Sequence, residues 1–146
     1  MTEPIKVPSD IDIKIASKMG RVQAKLKFDP SLGPGVNSAY KRAQKFVDSE
    51  VIRLSSPYTP MRSGKLIQSS TSSTRIGSGE VKYNVPYARY QYYGMLMVGR
   101  APKKLTSTPL KYQGAPQRGA KWFERMKAKN KTDILKGAGK IVATKK

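Results

Sequence analysis

The side chains that carry most enzyme chemistry are missing from this sequence. It has no cysteine and no histidine among its 146 residues. Thiolate nucleophiles, disulfide frameworks and thiolate metal sites are thereby excluded. The usual general base and the commonest metal ligand are gone as well. The 9 Asp and Glu residues form no clustered carboxylate set. The sequence therefore predicts no catalytic residue, no metal site and no cofactor.

Three stretches could still bind something. Gly77-Ser78-Gly79 is too short to cradle a phosphate, and no glycine-rich run ends in Lys-Ser or Lys-Thr after a strand. Ser63-Gly64-Lys65 reads better as a helix cap at Ser63 followed by a bend at Gly64. The tyrosines Tyr83, Tyr87, Tyr90, Tyr92 and Tyr93, with Arg89 among them, could stack the bases of a single-stranded nucleic acid. Aromatics at helical spacing more often pack a core or a subunit interface, and that reading is preferred.

Charge is the strongest compositional signal. With 29 Lys and Arg against 9 Asp and Glu, the chain carries a formal +20. Solubility alone asks for a magnitude of about 2–8. Such a chain seeks polyanions or acidic partners and repels its own copies. More than half of the excess lies beyond Gly99, where only Glu124 and Asp133 oppose the bases. Candidate contacts with DNA phosphates or an acidic protein surface are Arg100, Lys103, Lys104, Lys111, Arg118, Lys121, Arg125, Lys127, Lys129 and Lys131. They would read charge, not base sequence. Lysines around an apolar helical stripe would also suit a membrane surface or a partner groove. No apolar run approaches the roughly 20 residues of a membrane span, and the N-terminus lacks a signal peptide's apolar stretch. The protein is expected in a cytoplasm, leaving it only by assembly or lysis.

The elements that must position these residues follow from periodicity. One domain is expected over 1–146, with residues 1–10 a flexible arm broken by Pro4 and Pro8. Ile11, Ile13 and Ile15, then Val22, Ala24, Leu26 and Phe28, alternate with polar residues and predict a hairpin over about 11–28, turning at Lys18-Met19-Gly20. From Val36 the apolar period becomes helical through Ala39, Tyr40, Ala43, Phe46, Val47, Val51 and Leu54. A long helix over about 36–55 is predicted, with Lys41, Arg42, Lys45, Asp48 and Arg53 outward and Pro57 ending it. The Ser/Thr run up to Ile76 and the alternating Val81, Tyr83 and Val85 predict a second hairpin, roughly 70–76 with 80–85. Tyr87 to Tyr93 reads as one or two helical turns closed by Gly94. Gly and Pro make 94–119 a long loop, where Met95, Leu96, Met97 and Val98 need a cover. A basic helical segment fills 120–146, with Trp122, Phe123 and Met126 leading a stripe through Ile134, Leu135, Ala138, Ile141 and Val142. The fold class is α+β: an antiparallel sheet packed by one long amphipathic helix, with a C-terminal helix and extended arms and loops.

Two short motifs carry a resemblance. Tyr58-x-Pro60-x-x-Ser63-Gly64-x-Leu66-x-x-Ser69, placed after an amphipathic helix, resembles a motif of the minor capsid and neck proteins of tailed bacteriophages. Tyr87-Ala88-x-Tyr90-x-x-x-Gly94 is similar to their second motif, and Trp122-Phe123 to the opening of their C-terminal helix. The resemblance spans about residues 36–130. It departs at Arg62-Ser63, where an Asp or Thr is often found, and at Tyr93, where an acid often precedes the closing Gly.

The resemblance implies a structural virion protein. It would form a homo-oligomeric ring, with six copies as one form, in the neck as a head–tail connector, tail-completion or minor capsid protein. Its partners would be itself, portal, adaptor or stopper proteins, tail-tube or tail-terminator proteins, and packaged double-stranded DNA held by non-specific electrostatics. No membrane is implied, and assembly would occur in the host bacterial cytoplasm. The alternative from composition alone is a non-specific basic DNA- or RNA-binding module. Within the first motif, Leu66 is expected to pack under the long helix near Val51 and Leu54.

Overall fold

The computed structural model describes residues 6, 9, 11–17, 20–27 and 29–144 of the chain. Strands β1 (Ile11–Ser17) and β2 (Gly20–Leu26) pair antiparallel, with Ile13 opposite Ala24. This hairpin was expected. Its turn residues Lys18 and Met19, and nearly all of the N-terminal arm, lie outside the described residues.

Helix α1 runs Leu32–Ser55 and starts earlier than Val36. Gly33 and Pro34 fall where backbone N–H groups lack helical partners, so a proline there loses nothing, and Gly35 N makes the first helical bond, to Ser31 O at 3.0 Å. Ser31 precedes the helix and donates from both its N–H and its Oγ to Asp29 Oδ1, at 2.8 and 2.7 Å. The far end stops at Ser55, as Pro57 requires.

The Ser/Thr-rich stretch is not a strand. Helix α2 spans Lys65–Ser73. Leu66, Ser69 and Ser70 are buried along one face, a 3.6-residue period written in small polar side chains. Ser69 Oγ donates to Leu66 O and Ser70 Oγ to Ile67 O, both at 2.7 Å, so burial leaves neither hydroxyl unpaired. The expected partner segment, 80–85, pairs with no strand. Its alternation survives as burial, with Val81, Tyr83 and Val85 half-buried and Lys82 and Asn84 exposed. Lys82 N donates to Thr74 Oγ1 at 2.9 Å and pins this segment behind α2.

Helix α3, Ala88–Tyr93, ends on Gly94 in the left-handed region at φ 77°, as expected. The segment 94–119, expected to be a loop, contains a second hairpin: β3 (Met95–Val98) with β4 (Lys104–Pro109). A register shift between Met95 and Met97 hid the pair from a period-two reading. The last helix, α4, runs Trp122–Ala143 without a break at Asn130 or Gly137.

The α+β class holds. Its sheet component is two separate two-stranded hairpins, and the long helix packs on another helix. The contact of α1 with α4 is the most extensive between elements. Ala39 and Ala43 on α1, and Met126 and Ile134 on α4, are buried. Asp48, expected outward, is only 3% exposed. Its carboxylate accepts from Gly77 N at 2.7 Å, Gly79 N at 3.1 Å and Gln44 Nε2 at 2.7 Å. Tyr40, expected inward, is 55% exposed.

At Gly137 the two helices approach closely. A Cβ there would lie 2.6 Å from Phe46 Cζ, whereas one at Gly139 would meet nothing within 4 Å. Alanine favours a helix over glycine by about 1 kcal/mol, and overpacking costs about 1–3 kcal/mol. Gly139→Ala should therefore raise the chemical-denaturation midpoint, and Gly137→Ala should lower it relative to Gly139→Ala.

Candidate functional site

The two motifs and the start of α4 converge on one junction. Leu66 from α2, Ala88 from α3 and Trp122 from α4 form a buried cluster, with Tyr58, Tyr83, Val85, Tyr87 and Tyr92 packed against it. Leu66 therefore finds its partners in α3 and α4, not in Val51 and Leu54 of α1 as expected. Trp122, 2% exposed, takes Tyr83 and Tyr92 edge-to-face, with ring centroids at 5.3 and 4.8 Å. Such geometry adds about 0.5–1.5 kcal/mol per pair beyond area burial.

Each segment reaches this point for a local reason. Gly64 caps α2 at φ 79°, a conformation glycine adopts freely. Ser63 provides no side-chain cap, so Gly64 performs both expected tasks. Gly94 lets the chain leave α3, and a Cβ there would press on Ala120 Cβ at 3.0 Å. Thr59, within the first motif, is fully buried and its Oγ1 donates to Ser55 O at 2.9 Å.

The stretch between β4 and α4 then ties the motifs together. Gly119 N donates to Tyr58 O at 3.0 Å, and Lys121 N to Tyr92 O at 2.9 Å. Leu110 N donates to Gly94 O at 2.8 Å, and Tyr112 Oη to Gln91 O at 2.6 Å. Arg118 Nη1 donates to Ser56 O at 2.9 Å and Thr59 O at 2.6 Å, binding carbonyls left over where α1 ends. Arg125 donates to Pro116 O and lies over the Tyr58 ring, 5.4 Å from its centroid. Lys121, at φ 53° the one non-glycine residue with positive φ among the described residues, holds its ammonium 4.2 and 4.9 Å from the Tyr93 and Tyr92 ring centroids.

The sequence-predicted charged contacts thus divide. Arg118 and Arg125 bind the protein's own backbone. Arg100, Lys103 and Lys104 are exposed at and beside the β3–β4 turn, while Lys127, Lys129 and Lys131 are exposed along α4. Lys111 belongs to a different place, described next.

Two concavities flank the junction. On one side, about 620 Å³ opens between α1 and the aromatic cluster, with Val47, Val51, Tyr83, Trp122 and Phe123 in its wall and Asp48 at its edge. On the other, about 600 Å³ opens between the two motifs themselves. There Pro60, Ser63, Gly64 and Leu66 face Tyr87 and Tyr90, and Arg62, Lys65 and Lys111 bring charge. Sequence reading had not singled out Arg62 or Lys65 as contacts. Only their position inside the first motif marked them. Ser69, the last residue of that motif, is buried beneath.

Burial raises the pKa of Tyr83 above its ordinary value, against the opposing pull of hydrogen bonds around Thr59, Trp122 and Ser70. Tyr92 is raised by burial first and by the Glu124 charge second, and Tyr112 by burial. Among the described residues no group of three or more acidic side chains could hold a metal. None of their helices is long and apolar enough to cross a membrane.

A family described as minor capsid protein matches residues 13–140. No curated protein and no solved structure matches the chain.

Leu66→Ala should lower stability by about 2–5 kcal/mol, read from chemical denaturation, because Leu66 is 4% exposed. An unchanged midpoint would contradict its place in the cluster. Ultraviolet titration should find Tyr83 among the last tyrosines to ionise, and Tyr83→Phe should remove that late step. The sign follows from a raised folded-state value. The stability held by neutral Tyr83 is complete below about pH 10 and is lost as pH rises through the folded pKa.

Proposed function

The chain belongs to the minor capsid protein family and is a structural protein of a bacteriophage virion; from that premise we propose that it forms a homo-oligomeric ring in the neck, joining the DNA-filled head to the tail. Portal, adaptor or stopper proteins would meet one face of the ring, and tail-tube or tail-terminator proteins the other.

The observation that carries this reading is the β3–β4 hairpin. Leu96, Val98 and Leu105 are 37%, 47% and 63% exposed; Val98 stands opposite Lys104 and Leu105 opposite Met97, so Val98 and Leu105 lie on opposite faces of the ribbon. A two-stranded hairpin is marginal by itself, and one that exposes apolar side chains on both faces needs a cover. An exposed apolar ribbon on one part of a chain and an apolar concavity on another suit head-to-tail contact between copies, which closes into a ring where the rotation permits. The charge of +20 per copy opposes such crowding. DNA in the lumen or acidic neighbours must offset it.

Native mass spectrometry and negative-stain images of the purified protein should show a closed ring. Val98→Glu with Leu105→Glu should yield monomers whose thermal midpoint is nearly unchanged, because surface substitutions usually move stability within about 0.5 kcal/mol. Deleting the gene should leave filled heads without tails. Infectious particles lacking the protein would overturn the proposal.

A further inference from the structure

We propose that the cleft between the two motifs is a binding site for the phosphodiester backbone of DNA. It takes Lys111 from the basic C-terminal third to which the sequence pointed and adds Arg62 and Lys65 from the first motif. Three cations, Arg62, Lys65 and Lys111, line this cleft of about 600 Å³, and no carboxylate does. All three side chains are exposed. Lys103 adds a fourth at the rim, its ammonium 5.6 Å from the centroid of Tyr90, a wall residue.

Among the described residues none of these charges is in an ion pair. The ion pairs among the described residues are Lys14–Asp12, Arg53–Glu50 and Lys82–Glu80. Across residues 51–123 the one acid is Glu80, and Lys82 holds it at 3.2 Å. Like charges gathered around a concavity repel, and an anion entering it relieves all of them together. The opposite concavity lacks this character, since there Asp48 accompanies Arg89.

The uncharged lining fits the same ligand. Ser63, Gln91, Gln113 and the tyrosines supply side chains of the kinds that contact phosphate and sugar oxygens. The walls are also fixed before any ligand arrives. Tyr112 Oη is bonded to Gln91 O at 2.6 Å, and Leu110 N to Gly94 O at 2.8 Å, so the Lys111 wall is held on α3. Gly64 sets the other wall through its left-handed turn at φ 79°. Cations on separate walls, one guanidinium and two ammoniums, suit successive phosphates along a strand better than a single bidentate carboxylate.

The site rests on the virion reading only for which DNA the protein meets. Its test uses purified full-length protein, so its failure leaves the assembly experiments above untouched. Binding of a fluorescent DNA duplex is titrated against salt for the native protein and two triple variants. The first is Arg62→Gln, Lys65→Gln, Lys111→Gln. The second is Lys127→Gln, Lys129→Gln, Lys131→Gln on α4. Each removes three charges from +20, leaving +17. Each lost phosphate contact lowers the slope of log affinity against log salt by about 0.9. The cleft variant should therefore lose a slope of about 2.7, with at least a tenfold loss of affinity near 0.1 M salt. The α4 variant should lose clearly less. Equal losses would mean diffuse attraction without a site, and no loss in the cleft variant would equally overturn the proposal. Amine-reactive labelling of the native protein supplies a readout that does not depend on a variant folding. DNA should protect Lys65 and Lys111. Their full reactivity in the complex, or stronger protection by polyglutamate at equal charge concentration, would refute the phosphate assignment, the latter in favour of an acidic protein partner.

Discussion

The packing of Trp122 against Tyr83 and Tyr92 is the contact on which the other segments depend. Trp122 stands at the first position of α4, so its burial fixes where the C-terminal helix starts and which face it turns to α1. Tyr92 belongs to α3 and Tyr83 to the extended segment behind α2. One indole thus holds three stretches far apart in sequence. Removing an indole of this kind costs about 3–5 kcal/mol, a large share of the stability of a domain this size. The hydrogen bonds of Arg118, Gly119 and Lys121 to Ser56, Thr59, Tyr58 and Tyr92 are consequences of that placement, because the 118–121 stretch must pass beside the end of α1 to deliver Trp122.

Charge is the second constraint, and its distribution matters more than its total. Several of the few acids are spent on structure or on single pairs. Asp48 is buried and closes the Gly77–Gly79 turn, and Glu50 is forked by Arg53 at 2.9 and 2.7 Å. That pairing holds the Glu50 carboxyl below its ordinary pKa. The basic side chains remain available in excess, except where Arg118 and Arg125 turn inward onto carbonyls. A monomer so charged and so apolar along β3–β4 has two needs, a counter-polyanion and a cover. A neck ring threaded by DNA would meet both.

Much of the fold was legible in the sequence, for identifiable reasons. The β1–β2 hairpin and α1 showed because their apolar residues repeat at 2.0 and 3.6. The α3 turn showed because Gly94 supplies a left-handed cap. Helix α2 was misread because its buried face is serine, and serine carries no apolar period and a weak helical preference. The β3–β4 pair was missed because its register is broken at Met95–Met97. Asp48 was placed outward because a carboxylate is normally solvated; the two glycine N–H groups that receive it lie 29 and 31 residues away.

By itself, the sequence determined the α+β class, the two motifs, the family and the lack of thiol and imidazole chemistry. These depend on residue type and short-range spacing, which one chain displays in full. Tertiary structure alone decided that Leu66 joins the cluster of Trp122, that Arg118 faces inward, and that Arg62 and Lys65 share a cleft with Lys111. Each of those pairings joins residues 46 to 62 apart, and no local period or propensity encodes which distant side chain closes a contact.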